Sequence, residues 1–363
     1  MSKSSFPYLD LNRATLLEKA SFQEALNNVG GDAAARAVAG ATAAVIPNGV
    51  DDTGNLQIAL NMGVVILAKG AKYRVTKGLT VRPGRTIIVG NNSTILFRPA
   101  ERAGAVPSLF SNDSKVVESV DFSARDFSIE GSCVALEFGF LSAKPKAGLR
   151  VIIDSLHFNT MDGSRPMGTG FAIIKQADFS SFSNLKIYNC DLAFSVGSKS
   201  PDRNSTQIIL QNHFVSQVNT GYRFEGVDKL VTQNIDIANC GSGFCWLGSN
   251  ARHSCSALHV ESLSTNGYKS SPKVPLSSSG TAFYFEDNAQ NEDIVISCSD
   301  VIDMKGQVGN ARASIFVGRC DNPAIQSIYF NQCTIPPLCE GSAVYQPLVI
   351  RGYIEWSGKW PLL

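Results

Sequence analysis

The sequence predicts an all-β solenoid, in which short strands stack as successive coils around one apolar core. Strand-sized apolar segments recur along most of the chain, and only 17% of its 363 residues are charged. Glycine, serine and asparagine are plentiful, which is typical of a turn-rich β protein with few solvated helices. The hydrophobic content of 44% is sufficient for a large core.

The most informative single stretch runs from residue 48 to residue 97. It begins with a short helix signal, whose free amides can be capped by Asp51, Asp52 or Thr53 and whose apolar face is Leu56, Ala59 and Leu60. After Gly63 the period changes to strands, read as VVIL, YRV, LTV, TIIV and STILF, with Lys-Gly, Pro-Gly and Asn-Asn turns between them. This order predicts a capping helix at the end of a coiled sheet.

From about residue 120 onward the chain carries an imperfect repeat of two strands per unit, whose first strands start 23 to 36 residues apart. Repeats of this length indicate a solenoid, in which only the stack buries the apolar side chains. Because parallel coils lie about 4.8 Å apart, equivalent residues form columns. The predicted inward column is Ile129, Phe158, Ile187, Leu210, Ile237, Val260, Ile296 and Phe330.

The opening run VDDTGNLQIAL, followed by GVVILAKGAKYRV and IIVG, resembles the start of the pectate-lyase-like right-handed parallel β-helix proteins. Bacteriophage tailspikes form a large part of that superfamily. The resemblance implies a single-stranded right-handed parallel β-helix over residues 47–363, preceded by a helical and Ala-rich attachment or linker segment at 1–46. It covers about fifty residues closely, and it is specific for the fold rather than for the chemistry.

The same resemblance implies a phage tailspike-like protein, a homotrimer located in the tail of the virion. Its partner would be a bacterial surface polysaccharide, capsule or O-antigen, and residues 1–46 would contact phage tail or baseplate proteins. A flexible leader is the alternative interpretation of residues 1–46. A protein that binds glycan without cleaving it, or a structural tail component, is the alternative function.

Composition excludes several other classes. A formal charge of +1 gives no electrostatic basis for binding nucleic acid, and no apolar run is long enough for membrane insertion. The N-terminus MSKSSFPYLDLNR lacks the apolar core of a signal peptide, and nine cysteines without paired spacing favour reduced thiols in a host cytoplasm. No cofactor is expected. One zinc pattern, His253-x-Cys255-x-x-x-His259, lacks a second pair of ligands.

Outward-facing acidic residues supply the catalytic candidates. Asp236 and Glu261 are expected one coil and two residues apart, hence about 8 Å, which suits an inverting glycoside hydrolase. Asp236 would be the base, Glu261 the acid, and His259 would hold one of them in place. The outward column expected to contain Asp236 and His259 also includes Ile209 and Val295. Glu225 with Glu286 is a second candidate pair.

Three residues are the predicted substrate contacts: Tyr188, Arg223 and Tyr284. The rings of Tyr222 and Trp246 are further candidates for sugar stacking, wherever they face outward. No acidic cluster of the kind that holds Ca²⁺ stands out, so hydrolysis is favoured over a metal-assisted lyase reaction. The sequence predicts no metal site.

Overall fold

The structure is a computed structural model, and it describes residues 44–99, 106–115, 118–140, 148–160, 168–198, 205–264, 280–286, 291–302, 313–317, 325–333, 338–339 and 349–354. These residues form a mostly β fold, in which parallel strands make one curled, solenoid-like sheet. This confirms the predicted all-β solenoid. Apart from residues 44–46, the N-terminal segment 1–46 lies outside the described residues.

The described elements are one helix and twenty strands. They are α1 (Thr53–Asn61), β1 (Val64–Ile66), β2 (Lys72–Val75), β3 (Leu79–Val81), β4 (Gly84–Phe97), β5 (Ser108–Asn112), β6 (Val120–Glu130), β7 (Val134–Phe138), β8 (Leu149–Asn159), β9 (Gly170–Ile174), β10 (Asp178–Tyr188), β11 (Leu192–Gly197), β12 (Ser205–Glu225), β13 (Val227–Leu247), β14 (Asn250–Leu263), β15 (Thr281–Phe285), β16 (Asn291–Ile302), β17 (Ala313–Val317), β18 (Ile325–Cys333), β19 (Leu338–Cys339) and β20 (Val349–Ile354).

The predicted helix is present as α1, and its buried face is the predicted one, Leu56, Ala59 and Leu60. Asp51 accepts a hydrogen bond from the amide of Thr53 at 3.0 Å. Asp52 instead ties the turn to the sheet, because its two carboxylate oxygens accept from the amides of Asn48 (2.7 Å) and Arg74 (2.9 Å). The segments TIIV and STILF, predicted as separate strands, form the single strand β4.

Four successive coils turn at residues with left-handed backbone, and within each of these coils the residues are spaced five apart. In four successive coils they are 179, 184 and 189; 207, 212 and 217; 229, 234 and 239; and 252, 257 and 262. Long strands such as β12 and β13 therefore run around corners, and each coil has three faces. Asparagine suits such positions because its short polar side chain tolerates positive φ.

The inward columns follow this three-faced coil rather than the predicted two-strand repeat. The observed column is Ile129, Phe158, Ile187, Val215, Ile237, Val260 and Val301. The prediction was wrong at three positions within the described registers, since Val215, Val301 and Cys333 take the places assigned to Leu210, Ile296 and Phe330. Leu210 pairs instead with Phe182 and Thr232 on the preceding face.

Aromatic rings fill much of the core. Phe194, Tyr222, Phe244 and Phe283 are register partners, and the last three stack with ring centroids 5.0 and 5.7 Å apart. Trp246 stacks on Phe285 at 4.7 Å and 11°. Stacked rings combine area burial with a favourable ring–ring interaction, so this column is a main source of cohesion between coils.

Two histidines are buried in this core and hydrogen-bonded at both nitrogens. His213 contacts the hydroxyl of Tyr222 through Nδ1 (2.7 Å) and the carbonyl of Phe182 through Nε2 (2.9 Å). Trp246 donates to Nδ1 of His253 at 2.9 Å, and Nε2 of His253 lies 2.8 Å from the carbonyl of Val227. Burial lowers the pKa of each imidazole to about 4, so both are neutral at pH 7.

A ladder of amides runs up one corner. Asn234 donates to Asn212 at 3.0 Å, Asn212 donates to Asn184 at 3.1 Å, and Asn184 donates to Asp154 at 2.7 Å. The ladder bonds four coils together along the solenoid axis. Among the residues described, no helix combines the length and the apolar character needed to cross a bilayer.

Candidate functional site

Two adjacent outward columns cover the face that precedes the third corner of each coil. The first reads Ser128, His157, Lys186, Phe214, Asp236, His259 and Asp300. The second reads Glu130, Asn159, Tyr188, Ser216, Ala238, Glu261 and Ile302. Predicted residues Tyr188, Asp236, His259 and Glu261 therefore share one surface, although Ile209 and Val295, expected in the first column, lie on the preceding face.

Four side chains on this face form what we call the acidic cluster: Asp236, His259, Glu261 and Asp300. His259 lies at its centre, with Nε2 3.4 Å from Oε2 of Glu261 and Nδ1 3.9 Å from Oδ2 of Asp300. The three side chains are about one-third exposed, at 29%, 29% and 36%. Asp236 is the register partner of His259 on the neighbouring strand. Three carboxyl groups thus surround one imidazole within reach of solvent.

Asp236 is a partly buried carboxyl of the cluster. Its Oδ1 is buried and accepts no hydrogen bond from any described residue. Burial raises the pKa of this carboxyl, the nearby charge of Glu261 raises it further, and His259 opposes the change. A desolvated carboxyl beside a second carboxylate retains its proton to higher pH, which is the property of a general acid. This direction favours the reverse of the roles expected from the sequence.

A set of three rings, which we call the aromatic run, leads along the same face to the acidic cluster. The ring of Tyr188 lies 5.2 Å from that of His157 and 5.6 Å from that of Phe214. Phe214 is in turn the register partner of Asp236. The run therefore ends one coil, about 4.8 Å, from the first carboxyl of the cluster.

The second predicted pair, Glu225 and Glu286, is not juxtaposed. Leu247 is the register partner of Glu225 and separates the two coils that carry these carboxylates. Glu225 is nearly buried and forms an ion pair with Arg223, whose Nε donates at 2.9 Å. Glu286 accepts from the amide of Gly248 at 3.3 Å. Both carboxylates thus have structural partners.

The predicted substrate contacts divide between two faces. Tyr188 lies in the aromatic run, whereas Arg223 is on the face of Glu225. Tyr284 is 4% exposed and packs against Cys245, so its ring offers no surface to a sugar. Tyr222 and Trp246 are fully buried in the core.

The residues of the zinc pattern, His253, Cys255 and His259, do not meet at one site. His253 points into the core, whereas His259 points outward on the next face. The described ranges contain no group of three or more His, Cys, Asp or Glu side chains placed to hold a metal ion. Cys133, Cys240 and Cys255 are buried, and burial raises the pKa of each of their thiols.

Sequence reasoning missed Phe214, Asp300 and the placement of His157 beside Tyr188. The signal that finds Phe214 is the five-residue spacing of corner residues. Asn212 and Gln217 are equivalent to Asn184 and Asn189, so Phe214 rather than Ile209 follows Lys186 in the column. The position of Asp300 has no such signal, because residues 265–279 lengthen the interval before it.

No protein-family model matches the chain, and no curated protein matches it either. The function is therefore inferred from the acidic cluster and the aromatic run. A carboxyl whose pKa is raised, a second carboxyl within about 10 Å and a flanking aromatic surface are features that glycoside hydrolysis uses.

Proposed function

We propose that this chain is a tailspike-like protein that recognises a bacterial surface polysaccharide and cleaves it by glycoside hydrolysis. The observation that carries the proposal is the continuity of the aromatic run with the acidic cluster on one outward face. Pyranose rings stack on aromatic side chains, so a polymer that lies along His157, Tyr188 and Phe214 reaches Asp236 with its next unit.

The different environments of Asp236 and Glu261 assign the general acid and the general base. Asp236, whose pKa is raised by burial, protonates the oxygen of the leaving group. Glu261 is the carboxylate that activates water, because its estimated separation from Asp236, about 8 Å, leaves room for that water and predicts inversion. His259, between Glu261 and Asp300, orients the two carboxylates.

The finer architecture belongs to the same proposal. The solenoid is a right-handed parallel β-helix with α1 as its cap, the assembly is a homotrimer in the virion tail, and residues 1–46 bind tail or baseplate proteins. The support for these statements is the resemblance of residues 50–90 to the opening of the pectate-lyase-like right-handed parallel β-helix proteins, which include tailspikes. The parallel pairing of the coils supports the β-helix alone.

The test is release of oligosaccharide from capsule and O-antigen preparations of a panel of bacteria, measured as new reducing ends. We expect release by the wild-type protein from at least one preparation. Asp236→Asn should reduce the rate at least about 100-fold while polysaccharide binding remains. Asp126→Asn is the matched control, since Asp126 is an outward carboxylate at a corner and pairs with Arg125.

Three other outcomes would contradict the proposal in different ways. Binding without release from every preparation would identify an inert glycan-binding protein. Neither binding nor release, with a tight protein partner for residues 1–46, would identify a structural tail component. Equal loss of activity in Asp126→Asn and Asp236→Asn would remove the acidic cluster as the site.

A further inference from the structure

A cleft of about 480 Å³ lies away from the acidic cluster, where β4, β6, β8 and β10 begin. Arg85, Asp121, Arg150, Asp178 and Phe179 contribute to its walls. Its volume is within the range of small-molecule sites in proteins. Strand β10 connects it to the proposed substrate face, because that strand starts in the cleft at Asp178 and ends at Tyr188 in the aromatic run.

Phe179 is unusual in two respects. Its side chain is 65% exposed, the highest value among the large apolar side chains of the described strands. Its backbone is left-handed, with φ of 50°. The matching corners of the next three coils carry Gln207, Lys229 and Arg252, all polar. An aromatic residue is therefore neither needed for the corner nor favoured by its backbone, and strain of this kind concentrates at functional sites.

Charged groups alternate beside this ring. Arg85 is the register partner of Asp121, and Asp121 is the register partner of Arg150. The guanidinium of Arg150 lies 3.8 Å from the carboxylate of Asp121, and Asp178 accepts a hydrogen bond from Thr206 at 3.1 Å. The charges of the two arginines and the two aspartates cancel, so these four side chains carry no net charge. The cleft therefore presents alternating hydrogen-bond donors and acceptors.

We propose that this cleft is a second, non-catalytic glycan site that binds one uncharged sugar ring. The ring stacks on Phe179, and its hydroxyl groups bond to the guanidinium groups of Arg85 and Arg150 and to the carboxylate of Asp178. Hydroxyl groups both donate and accept, which matches the alternation of charges. The inference rests on the proposed function, because a polysaccharide is the source of such rings.

The test uses Phe179→Gln, which copies the residue at the matching corner of the next coil and so preserves the fold. Binding of four probes, the methyl glycosides of glucose, galactose, mannose and rhamnose, is measured by saturation-transfer NMR and titration. Wild-type protein should bind at least one probe with a millimolar dissociation constant. Phe179→Gln should weaken that binding at least about fivefold. Val231→Gln, which replaces another exposed apolar residue outside the cleft, should leave it unchanged.

Absence of binding for all four probes would overturn the inference, as would equal affinity in Phe179→Gln. Binding that Asp236→Asn abolishes would assign the sugar to the acidic cluster, and would also overturn it. The proposed function is scored separately by release of oligosaccharide. Probe binding in the cleft without release contradicts only the proposed function, whereas release without an effect of Phe179→Gln contradicts only the second site.

Discussion

Asp236 and His259 are register partners on adjacent strands, so the carboxyl group and the imidazole project from the same face one coil apart. His259 also lies between Glu261 and Asp300. One imidazole is thus shared by three carboxyl groups that come from three strands. The first prediction concerns which of them works with Asp236.

In the proposed mechanism Glu261 activates the water, so Glu261→Gln should lower the rate of polysaccharide cleavage at least about 100-fold. Asp300→Asn should lower it about 10-fold or less, since Asp300 acts only through the orientation of His259. The measurement is initial rate of reducing-end release, with NMR of the first product to determine its anomeric configuration. Retention of configuration, or a larger effect of Asp300→Asn, would contradict the assignment.

The raised pKa of Asp236 predicts an effect on stability. A carboxyl whose pKa is higher in the folded state binds more protons than the unfolded chain, so its contribution to stability is lost as pH rises above 3.8. Asp236→Asn, which cannot ionise, should raise the melting temperature at pH 7 by about 1 °C and by less at pH 4. Thermal unfolding followed by circular dichroism measures both. A lower melting temperature at pH 7 would contradict the prediction.

The buried histidines predict acid sensitivity. The pKa of His213 and of His253 is about 4 in the folded state and 6.5 when exposed. The unfolded chain therefore takes up protons first, and stability falls as pH falls from 6.5 to 4, by up to about 3 kcal/mol for each histidine. His213→Gln should flatten this dependence. Denaturation at pH 7, 5.5 and 4.5 measures it, and an unchanged slope would count against the assignment.

The amide ladder predicts that replacing a corner asparagine lowers the stability of the fold. Asn212→Ala removes two ladder hydrogen bonds and places alanine at φ of 56°, so it should destabilise the fold by about 1–3 kcal/mol. Ala257→Gly is the matched change at the same corner one coil beyond Asn234, and it should be neutral or stabilising because glycine accepts positive φ. The midpoints of urea unfolding compare the two. Equal destabilisation would show that the ladder contributes nothing.

Gly197 predicts a larger cost, because its backbone has φ of 91° and a Cβ there would collide with the carbonyl oxygen of Glu225. Gly197→Ala should destabilise by more than about 3 kcal/mol. Gly248 also has positive φ but open space around it, so Gly248→Ala should cost only about 1 kcal/mol. Yield of folded protein and melting temperature distinguish these variants, and similar values for both would contradict the steric argument.

The class of fold could be predicted because stacking demands apolar columns, and strands such as LKIY and IDIA display them. The number of faces could not be predicted from apolar alternation alone. The strand continues through the corner at Asn212 without a break. The segments IILQN and LKIYN therefore look equivalent in sequence, although IILQ precedes this corner and LKIY follows the equivalent corner at Asn184. That single misalignment placed Ile209 where Phe214 belongs.

The candidate site could be predicted in part for the same reason. Asp236, His259 and Glu261 fall on consecutive coils with nearly equal lengths, so their neighbourhood follows from the sequence spacing. Asp300 follows a longer coil, and spacing no longer fixes its position. The burial of Tyr284 could not be predicted from the alternation of residues, since both sides of β15 are buried. Tyr284 packs against Cys245 in a cluster separate from the core that contains Phe283 and Phe285.

Unequal coils have a consequence for how such a molecule can change. Thr220 and Ser242 are register partners 22 residues apart, whereas Ser242 and Thr281 are partners 39 residues apart. The two coils nevertheless pack in register, and the ring of Phe285 stacks on that of Trp246. Residues can thus be added to a connection without disturbing the framework on either side. The lengths of these connections can therefore vary while the coils that carry Asp236 and His259 stay in place.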